Sequence, residues 1–256
     1  MSIELRSLLE FAVEAAWQAG KITLRYYQTG VSADIKADDS PVTIADREAE
    51  EKLRELIGRH FPDDGIVGEE WGETGGTSGR KWILDPIDGT KSFLHGVPLY
   101  GTLIGLEMDG SCAVGAAYFP ALDEMVFAAN GEGCFWNGRR ARASEVSQIS
   151  EALLLTTDVP RIYDQGRGPG YDRLLRDTKL SRGWGDCYGH VLVATGRAEI
   201  MLDPMMNVWD CAALVPIVIE AGGTFTSWDG RVGARAGSAI STNGKLYEEV
   251  MRRLKG

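Results

Sequence analysis

The chain has 256 residues, of which 44% are hydrophobic and 25% are charged, as expected for a globular enzyme of one large domain or two closely packed halves. The formal net charge of −10 argues against nucleic acid or an anionic membrane as a partner, because both attract basic surfaces. The N-terminus lacks the apolar core of a signal peptide and no stretch of about 18 apolar residues occurs, so we expect a cytoplasmic protein without a membrane span. The four cysteines have no CxxC spacing and predict reduced thiols rather than a zinc site.

The first half of the chain predicts helices followed by a mainly antiparallel sheet. Apolar periodicity predicts a helix over residues 3–28, and the region 30–40 is predicted to be a mobile loop or a short exposed hairpin. Thr43 and Asp46 have the spacing of a capping box, which predicts a second helix from Thr43 to about His60. Short strands follow, with a loop predicted over 71–80 and a hairpin turn at Asp109-Gly110. The strands are expected at 66–68, 82–84, 103–107, 112–118, 125–127 and 134–136.

Near residue 141 the pattern changes to alternating strands and helices. The predicted strands are 153–155, 198–202, 224–228 and 238–240, and the predicted helices are 191–197, 212–221 and a last one that ends at Leu254. We therefore divide the chain into an N-terminal α+β half, residues 1–140, that carries the metal-binding motifs, and a C-terminal α/β half, residues 141–256. Because no linker separates them, the halves are expected to form one compact unit with the site between them.

One segment, Trp82-Ile83-Leu84-Asp85-Pro86-Ile87-Asp88-Gly89-Thr90, combines features of a cation site and an anion site. A buried strand delivers two carboxylates, spaced i and i+3, onto a turn bent by proline. Carboxylate and carbonyl oxygens are the ligands that Mg²⁺ prefers, and free amides at a following helix start bind phosphate. A purely structural alternative is that the first acid caps the strand and the second caps the helix. Glu69 after another strand, and Asp210 further on, favour the metal site and therefore phosphate ester chemistry.

Four motifs occur along the chain in this order: Pro41-Val42-Thr43-Ile44-Ala45-Asp46, Gly68-Glu69-Glu70, Asp85-Pro86-Ile87-Asp88-Gly89-Thr90, and Trp209-Asp210-Cys211-Ala212-Ala213 with Glu220-Ala221-Gly222-Gly223. Together they resemble the motifs of the inositol monophosphatase family of Mg²⁺-dependent phosphatases. The resemblance covers essentially the whole chain and implies a layered αβαβα sandwich of the sugar-phosphatase type, built as a homodimer.

The resemblance also implies roles for the motif residues. One Mg²⁺ would be held by Glu69, Asp85 and the Ile87 carbonyl, and a second by Asp85, Asp88 and Asp210. A third, weaker Mg²⁺ would involve Glu69 and solvent. Thr90 and Asp46, together with Glu69, would orient the attacking water, so that no phospho-enzyme forms. The residues expected to contact substrate are Ile87, Asp88, Gly89, Thr90, Gly185, Asp186, Asp203 and Asp210.

Substrate choice is expected to depend on Gly185, Asp186 and Asp203, which match the family positions that contact the leaving alcohol. Two carboxylates suit an alcohol with cationic groups, and histidinol carries an ammonium and an imidazole. The segment Gly185-Asp186-Cys187-Tyr188-Gly189 is also similar to the histidinol-phosphatase branch of the family. We therefore predict a phosphomonoesterase that hydrolyses L-histidinol phosphate in histidine biosynthesis. Open alternatives are that Asp186 only caps a helix, that the substrate is inositol 1-phosphate or another small phosphomonoester, or that the chain is a non-catalytic, metal-binding regulatory module.

Overall fold

The computed structural model describes residues 3–36 and 41–255. Part of the predicted 30–40 loop, residues 37–40, therefore lies outside the described residues. Its flanks form a two-stranded antiparallel sheet of β1 (Ala33–Ile35) and β2 (Pro41–Thr43). Among the described helices, none combines the length and the apolar character that a membrane crossing requires.

An eight-stranded sheet forms the first half of the fold. The strands are β3 (Gly65–Gly68), β4 (Gly72–Thr74), β5 (Arg80–Asp88), β6 (Gly101–Met108), β7 (Ser111–Phe119), β8 (Glu124–Ala129), β9 (Gly133–Trp136) and β10 (Arg139–Ala141), in the order β10-β9-β8-β7-β6-β5-β3-β4. Neighbours are antiparallel except for β3 and β5, which run parallel. The predicted hairpin is confirmed, because Asp109 and Gly110 both have positive φ, 51° and 77°, as a tight two-residue turn requires.

Two long helices cover one face of this sheet. They are α1 (Ile3–Thr23) and α2 (Ile44–His60). Their apolar faces, which include Leu8, Ala12 and Leu53, pack against strand residues such as Trp82 and Ile104. The capping box at the start of α2 is confirmed, since the Thr43 side chain accepts from the helix backbone and Asp46 accepts from the Thr43 backbone.

A five-stranded sheet forms the second half. Its strands are β11 (Leu153–Thr156), β12 (Leu180–Arg182), β13 (Ile200–Asp203), β14 (Thr224–Thr226) and β15 (Ala239–Thr242), in the order β12-β11-β13-β15-β14. β11 runs parallel to both of its neighbours, whereas β15 is antiparallel to β13 and β14. The associated helices are α3 (Thr90–Leu94) in the first half and, in the second, α4 (Val159–Asp164), α5 (Gly168–Asp177), α6 (Asp186–Ala194), α7 (Val208–Ala212), α8 (Leu214–Glu220) and α9 (Tyr247–Lys255), with a 3-10 turn at Ile149–Glu151.

The helices α6 and α8 lie between the two sheets. Val191 and Ile217 share a buried cluster with Leu103 and Phe119 of the first sheet, and Val193 packs with Met201 of the second. On the outer face of the second sheet, α5 and α9 close the last layer. The architecture is therefore the predicted layered αβαβα sandwich. The sheets fall within residues 65–141 and 153–242, while the division into halves at residue 140 stays a prediction.

Several element predictions are wrong in detail. The helix predicted over 3–28 ends at Thr23, and turns follow it in which the Arg25 and Tyr26 N–H groups bond carbonyls three residues back. The predicted loop 71–80 contains β4, which pairs with β3. The helix predicted over 191–197 is α6, Asp186–Ala194, and it includes Gly189, whose lack of a side chain permits close packing: a Cβ there would lie 2.5 Å from the Met201 sulfur. The helix predicted over 212–221 corresponds to α8, Leu214–Glu220, which is separate from α7, Val208–Ala212. Pro216 has no N–H to donate to the carbonyl of Ala212 four residues earlier, so the two helices are not continuous.

Candidate active site

The first carboxylates of the site lie on two parallel strands. Asp85 and Asp88 are on β5, and Glu69 directly follows β3, where its N–H donates to the Leu84 carbonyl at 3.2 Å. This pairing places Glu69 beside Asp85, which is buried with 1% of its surface exposed. The Ile87 N–H donates to Asp85 Oδ1 at 3.1 Å, so the buried carboxylate also orders the backbone after it.

Asp85 and Asp88 were expected on a turn after the strand, and this expectation is wrong. The β5 strand continues to Asp88, and an extra residue bulges out between them, because Asp85 pairs with Leu103 while Asp88 pairs with Gly101. The buried hydroxyl of Thr102 donates to the carbonyl of Pro86 at 2.9 Å and stabilises the bulge. A bulge changes the direction of the side chains without ending the strand. It therefore explains how the carboxylates of Asp85 and Asp88, three residues apart, lie on the same side of the sheet.

Asp210 belongs to the second half of the chain and lies on α7, which packs against strands β5 and β6 of the first sheet. The helix approaches the strands closely where glycine leaves room: a Cβ at Gly105 would lie 2.6 Å from the Ala212 Cβ, and one at Gly115 would lie 2.1 Å from the Ala213 carbonyl. Asp210 Oδ2 accepts from the N–H of Asn207 at 2.6 Å, which fixes the carboxylate at the start of α7.

Asp85, Asp88 and Asp210 form one acidic cluster, with a ligand oxygen from each lying within 4.8 Å of the others. Burial raises the pKa of all three carboxyls, and the negative charges of their neighbours raise it further, with that of Asp210 reaching about 7. Such mutual repulsion is relieved by a bound cation. The donors are all hard oxygens, which suit Mg²⁺ better than a softer metal, so the cluster could hold a divalent ion.

Glu69 has a positive neighbour in this structure. Lys36 Nζ lies 2.7 Å from Glu69 Oε1 and 2.6 Å from Glu70 Oε1. Burial alone would lower the pKa of Lys36, but its hydrogen bonds to the two glutamates raise it above the ordinary value. Burial and the charge of Glu69 raise the pKa of Glu70 to about 7. Lys36 therefore links the end of β1 to the edge of the acidic cluster.

The turn that carries Glu69 is held by Glu50, a residue that sequence reasoning missed. Glu50 is fully buried on α2; its Oε2 accepts from the Glu70 N–H at 2.7 Å and its Oε1 from the Trp71 N–H at 3.2 Å. Arg54, one helical turn later, donates to Oε1 at 2.8 Å. Gly68 is needed for this approach, since a Cβ there would lie 2.0 Å from Glu50 Oε1. The available signal was an acid on the buried face of a helix, four residues after Asp46.

Asp46 lies fully buried beside this turn. Its Oδ2 accepts from the N–H and the hydroxyl of Thr43, at 2.8 and 2.6 Å, while its Oδ1 has no hydrogen-bond partner within the described ranges. Burial raises the pKa of Asp46 to about 6, and the charge of nearby Glu69 contributes to the increase. The Thr90 hydroxyl donates to the Ile87 carbonyl at 3.0 Å. The Thr90 hydroxyl is thus hydrogen-bonded to the Ile87 carbonyl, a predicted metal ligand. Oδ1 of Asp46 remains available to accept a hydrogen bond.

The predicted phosphate-binding residues form the entry to α3. Gly89 has φ of 84°, in the left-handed region that favours glycine, and precedes the first helical residue, Thr90. The second half of the chain contacts this turn directly. The Cys187 N–H at the start of α6 donates to Asp88 Oδ2 at 2.5 Å, and Asp186 Oδ2 lies 3.0 Å from the position that a Cβ at Gly89 would occupy.

The three residues predicted to contact the leaving alcohol lie together. Asp186 follows Gly185 at the start of α6, and its Oδ2 lies 3.4 Å from the Ser92 hydroxyl. Asp203, at the end of β13, has 7% of its surface exposed. Burial raises the pKa of both carboxyls. The predicted site residues from both halves are therefore neighbours. The acidic cluster is followed by Gly89-Thr90, the predicted phosphate turn, and then by Asp186 and Asp203, the carboxylates predicted to contact the leaving alcohol.

Comparisons with known proteins identify the family of this chain. The family model described as the inositol monophosphatase family matches residues 4–255. A histidinol-phosphatase of Chlorobaculum parvum is 48% identical over 224 residues, which is 87% of this chain and 86% of the relative. A histidinol-phosphatase of Mycobacterium tuberculosis is 40% identical over 252 residues, 96% of this chain and 97% of that protein. The fold is similar to the crystal structure of the extragenic suppressor protein suhB from Bartonella henselae, with a TM-score of 0.91 and 29% identity, covering 97% of this chain and 98% of that one. The match to the family model extends over nearly the whole sequence, and this chain belongs to the inositol monophosphatase family.

Proposed function

We propose that this protein is a Mg²⁺-dependent phosphomonoesterase that hydrolyses L-histidinol phosphate to L-histidinol and phosphate. Family membership supports the reaction class, and histidinol-phosphatases with 37–48% identity over most of the chain support the substrate. The observation that carries the choice of substrate is the position of Asp186 and Asp203 next to the phosphate turn. Carboxylates beside the phosphate attract a cationic alcohol, whereas a neutral polyol gains no ion pair from them.

The metal assignment follows the acidic cluster. One Mg²⁺ would be held by Glu69, Asp85 and the Ile87 carbonyl. A second would be held by Asp85, Asp88 and Asp210, and a third by Glu69 and solvent. When bound, Mg²⁺ supplies positive charge that neutralises the carboxylates, binds phosphate oxygens and makes water more acidic. The Asp85 carboxylate would contribute to the first two of these sites: it is buried, and the negative charges of Glu69 and Asp88 both raise its pKa.

The remaining residues position substrate and water. The amides of Gly89 and Thr90, at the entry to α3, would bind the phosphoryl oxygens. Asp46 Oδ1, buried and without a hydrogen-bond partner among the described residues, would accept a proton or hydrogen bond from the water that Thr90 and Glu69 help to orient. Asp186 and Asp203 would hold the ammonium and imidazole of the leaving alcohol. The attack needs no side chain to become phosphorylated.

The substrate assignment is tested by comparing kcat/KM for L-histidinol phosphate and inositol 1-phosphate. We expect a preference of at least about tenfold for histidinol phosphate, equivalent to about 1.4 kcal/mol. Asp186→Asn keeps the size of the side chain and removes its charge, so it should reduce this preference. Asp164→Asn, at an exposed position on α4, is the matched control. A preference of the unchanged enzyme for the inositol ester would refute the assignment.

The partner and location follow the same reasoning by resemblance. We infer a homodimer that acts in the cytoplasm, with no nucleic acid or membrane partner, consistent with the acidic net charge of −10. Light scattering coupled to size exclusion measures the mass in solution, and a monomer of 27.9 kDa would contradict the dimer.

A further inference from the structure

A single hydroxyl joins the two carboxylates that we assign to the leaving alcohol. Thr157 follows β11, and its Oγ1 donates to Asp203 Oδ2 at 2.7 Å. The same oxygen accepts from the backbone N–H of Asp186 at 2.8 Å. Thr157 thus uses both its donor and its acceptor function, and it connects the end of β13 to the start of α6.

The backbone around Asp186 depends on this contact. Asp186 has φ of 50°, in the left-handed region that few residues other than glycine adopt. The residue before it lies directly on Thr157, since a Cβ at Gly185 would be 2.5 Å from the Thr157 Cα and 2.6 Å from Oγ1. In this conformation the Asp186 carboxylate points to Ser92, 3.4 Å away, and to the phosphate turn.

We propose that Thr157 is a positioning residue for substrate specificity, which holds Asp186 and Asp203 at the separation and orientation that favour a cationic alcohol. The inference rests on the proposed function. Thr157 does not act on the phosphate, because its hydroxyl is committed to the two aspartates. Without the hydroxyl, the buried Asp203 carboxylate loses a donor and the Asp186 N–H loses an acceptor, so both groups can rearrange. The metal cluster and the Gly89 turn do not contact Thr157 through any hydrogen bond among the described residues.

The test compares two substrates in matched variants. Thr157→Val keeps the shape of the side chain and removes the hydroxyl, whereas Thr157→Ser keeps the hydroxyl. Thr156→Val is the control, because the buried Thr156 hydroxyl has no hydrogen-bond partner within the described part of the chain. L-Histidinol phosphate is compared with glycerol 1-phosphate, which has a neutral alcohol. Melting temperatures are measured for each variant, and Thr157→Ala provides a second test if the valine variant does not fold.

We expect Thr157→Val to lower kcat/KM for histidinol phosphate about tenfold, mainly through KM, with less than about threefold change for glycerol 1-phosphate. Thr157→Ser and Thr156→Val should both keep the discrimination of the unchanged enzyme. If Thr157→Val and Thr157→Ala retain the discrimination, or lose both activities equally, the role of Thr157 is overturned while the proposed function stands. If the unchanged enzyme does not prefer histidinol phosphate, the proposed function itself has failed.

Discussion

Removing the charge of Glu50 should loosen the turn that carries Glu69. In Glu50→Gln, one carboxylate oxygen becomes an NH₂ group, which cannot accept the hydrogen bonds that Glu50 now receives from two backbone amides and from Arg54. A single acceptor remains for three donors. Glu50 is fully buried and Arg54 is only 17% exposed, so water cannot easily replace what is lost.

The expected loss of stability is about 3 kcal/mol. A buried amide without an acceptor costs about 1–3 kcal/mol, and breaking a buried ion pair costs about 3–5 kcal/mol. The side-chain oxygen that remains in glutamine still accepts some of these hydrogen bonds. The expected loss of stability therefore lies near the lower end of the range for a broken buried ion pair, about 3 kcal/mol. For a chain of this size, about 3 kcal/mol corresponds to a decrease in melting temperature of roughly 6–12 °C. Because the turn also orients Glu69, we expect about tenfold weaker activation by Mg²⁺, as is typical when support of a metal ligand is lost.

Denaturant unfolding in EDTA measures the stability change without a contribution from bound cation. Activity as a function of Mg²⁺ concentration measures the second effect. The control is Glu51→Gln, which makes the same chemical change at the exposed neighbouring position of the same helix. If Glu50→Gln stays within about 1 kcal/mol of Glu51→Gln, with the same Mg²⁺ dependence, then the buried carboxylate does not organise the turn.

Further outcomes are expected at other positions. Asp88→Asn should abolish Mg²⁺-dependent phosphate release from histidinol phosphate, and retained activity would contradict the metal assignment. Gly115→Ala should destabilise the protein by about 2 kcal/mol and weaken Mg²⁺ activation, because the methyl group would displace the Ala213 carbonyl under α7; an unchanged melting temperature would argue against this packing. His190 is fully buried, and burial lowers its pKa to about 3, so only the unfolded state takes up a proton as the pH falls from about 6.5. Stability should therefore decrease by about 3 kcal/mol between pH 7 and pH 4 through this residue, and His190→Gln should remove that part of the pH dependence; equal pH profiles would refute it.

Sequence patterns predicted correctly those elements whose conformation depends on residues close together in the sequence. The capping box of Thr43 and Asp46 and the turn at Asp109-Gly110 both depend on contacts within a few residues. The errors occurred where distant packing overrides that preference. Glycine is unfavourable inside helices, yet Gly189 lies inside α6, where its lack of a side chain lets the helix pack closely on Met201. The bulge in β5 needed the pairing with β6 to be seen.

By itself, the sequence determined which groups are available for the chemistry: the carboxylates of Asp85 and Asp88, followed at once by the Gly89-Thr90 turn that we propose binds phosphate. Only the tertiary structure decided which distant groups support them. Glu50 reaches the Glu69 turn across 20 residues, and Thr157 reaches Asp186 across 29. A buried hydrogen bond leaves no periodic signal in the sequence, because its partners are selected by the packing of layers rather than by local spacing.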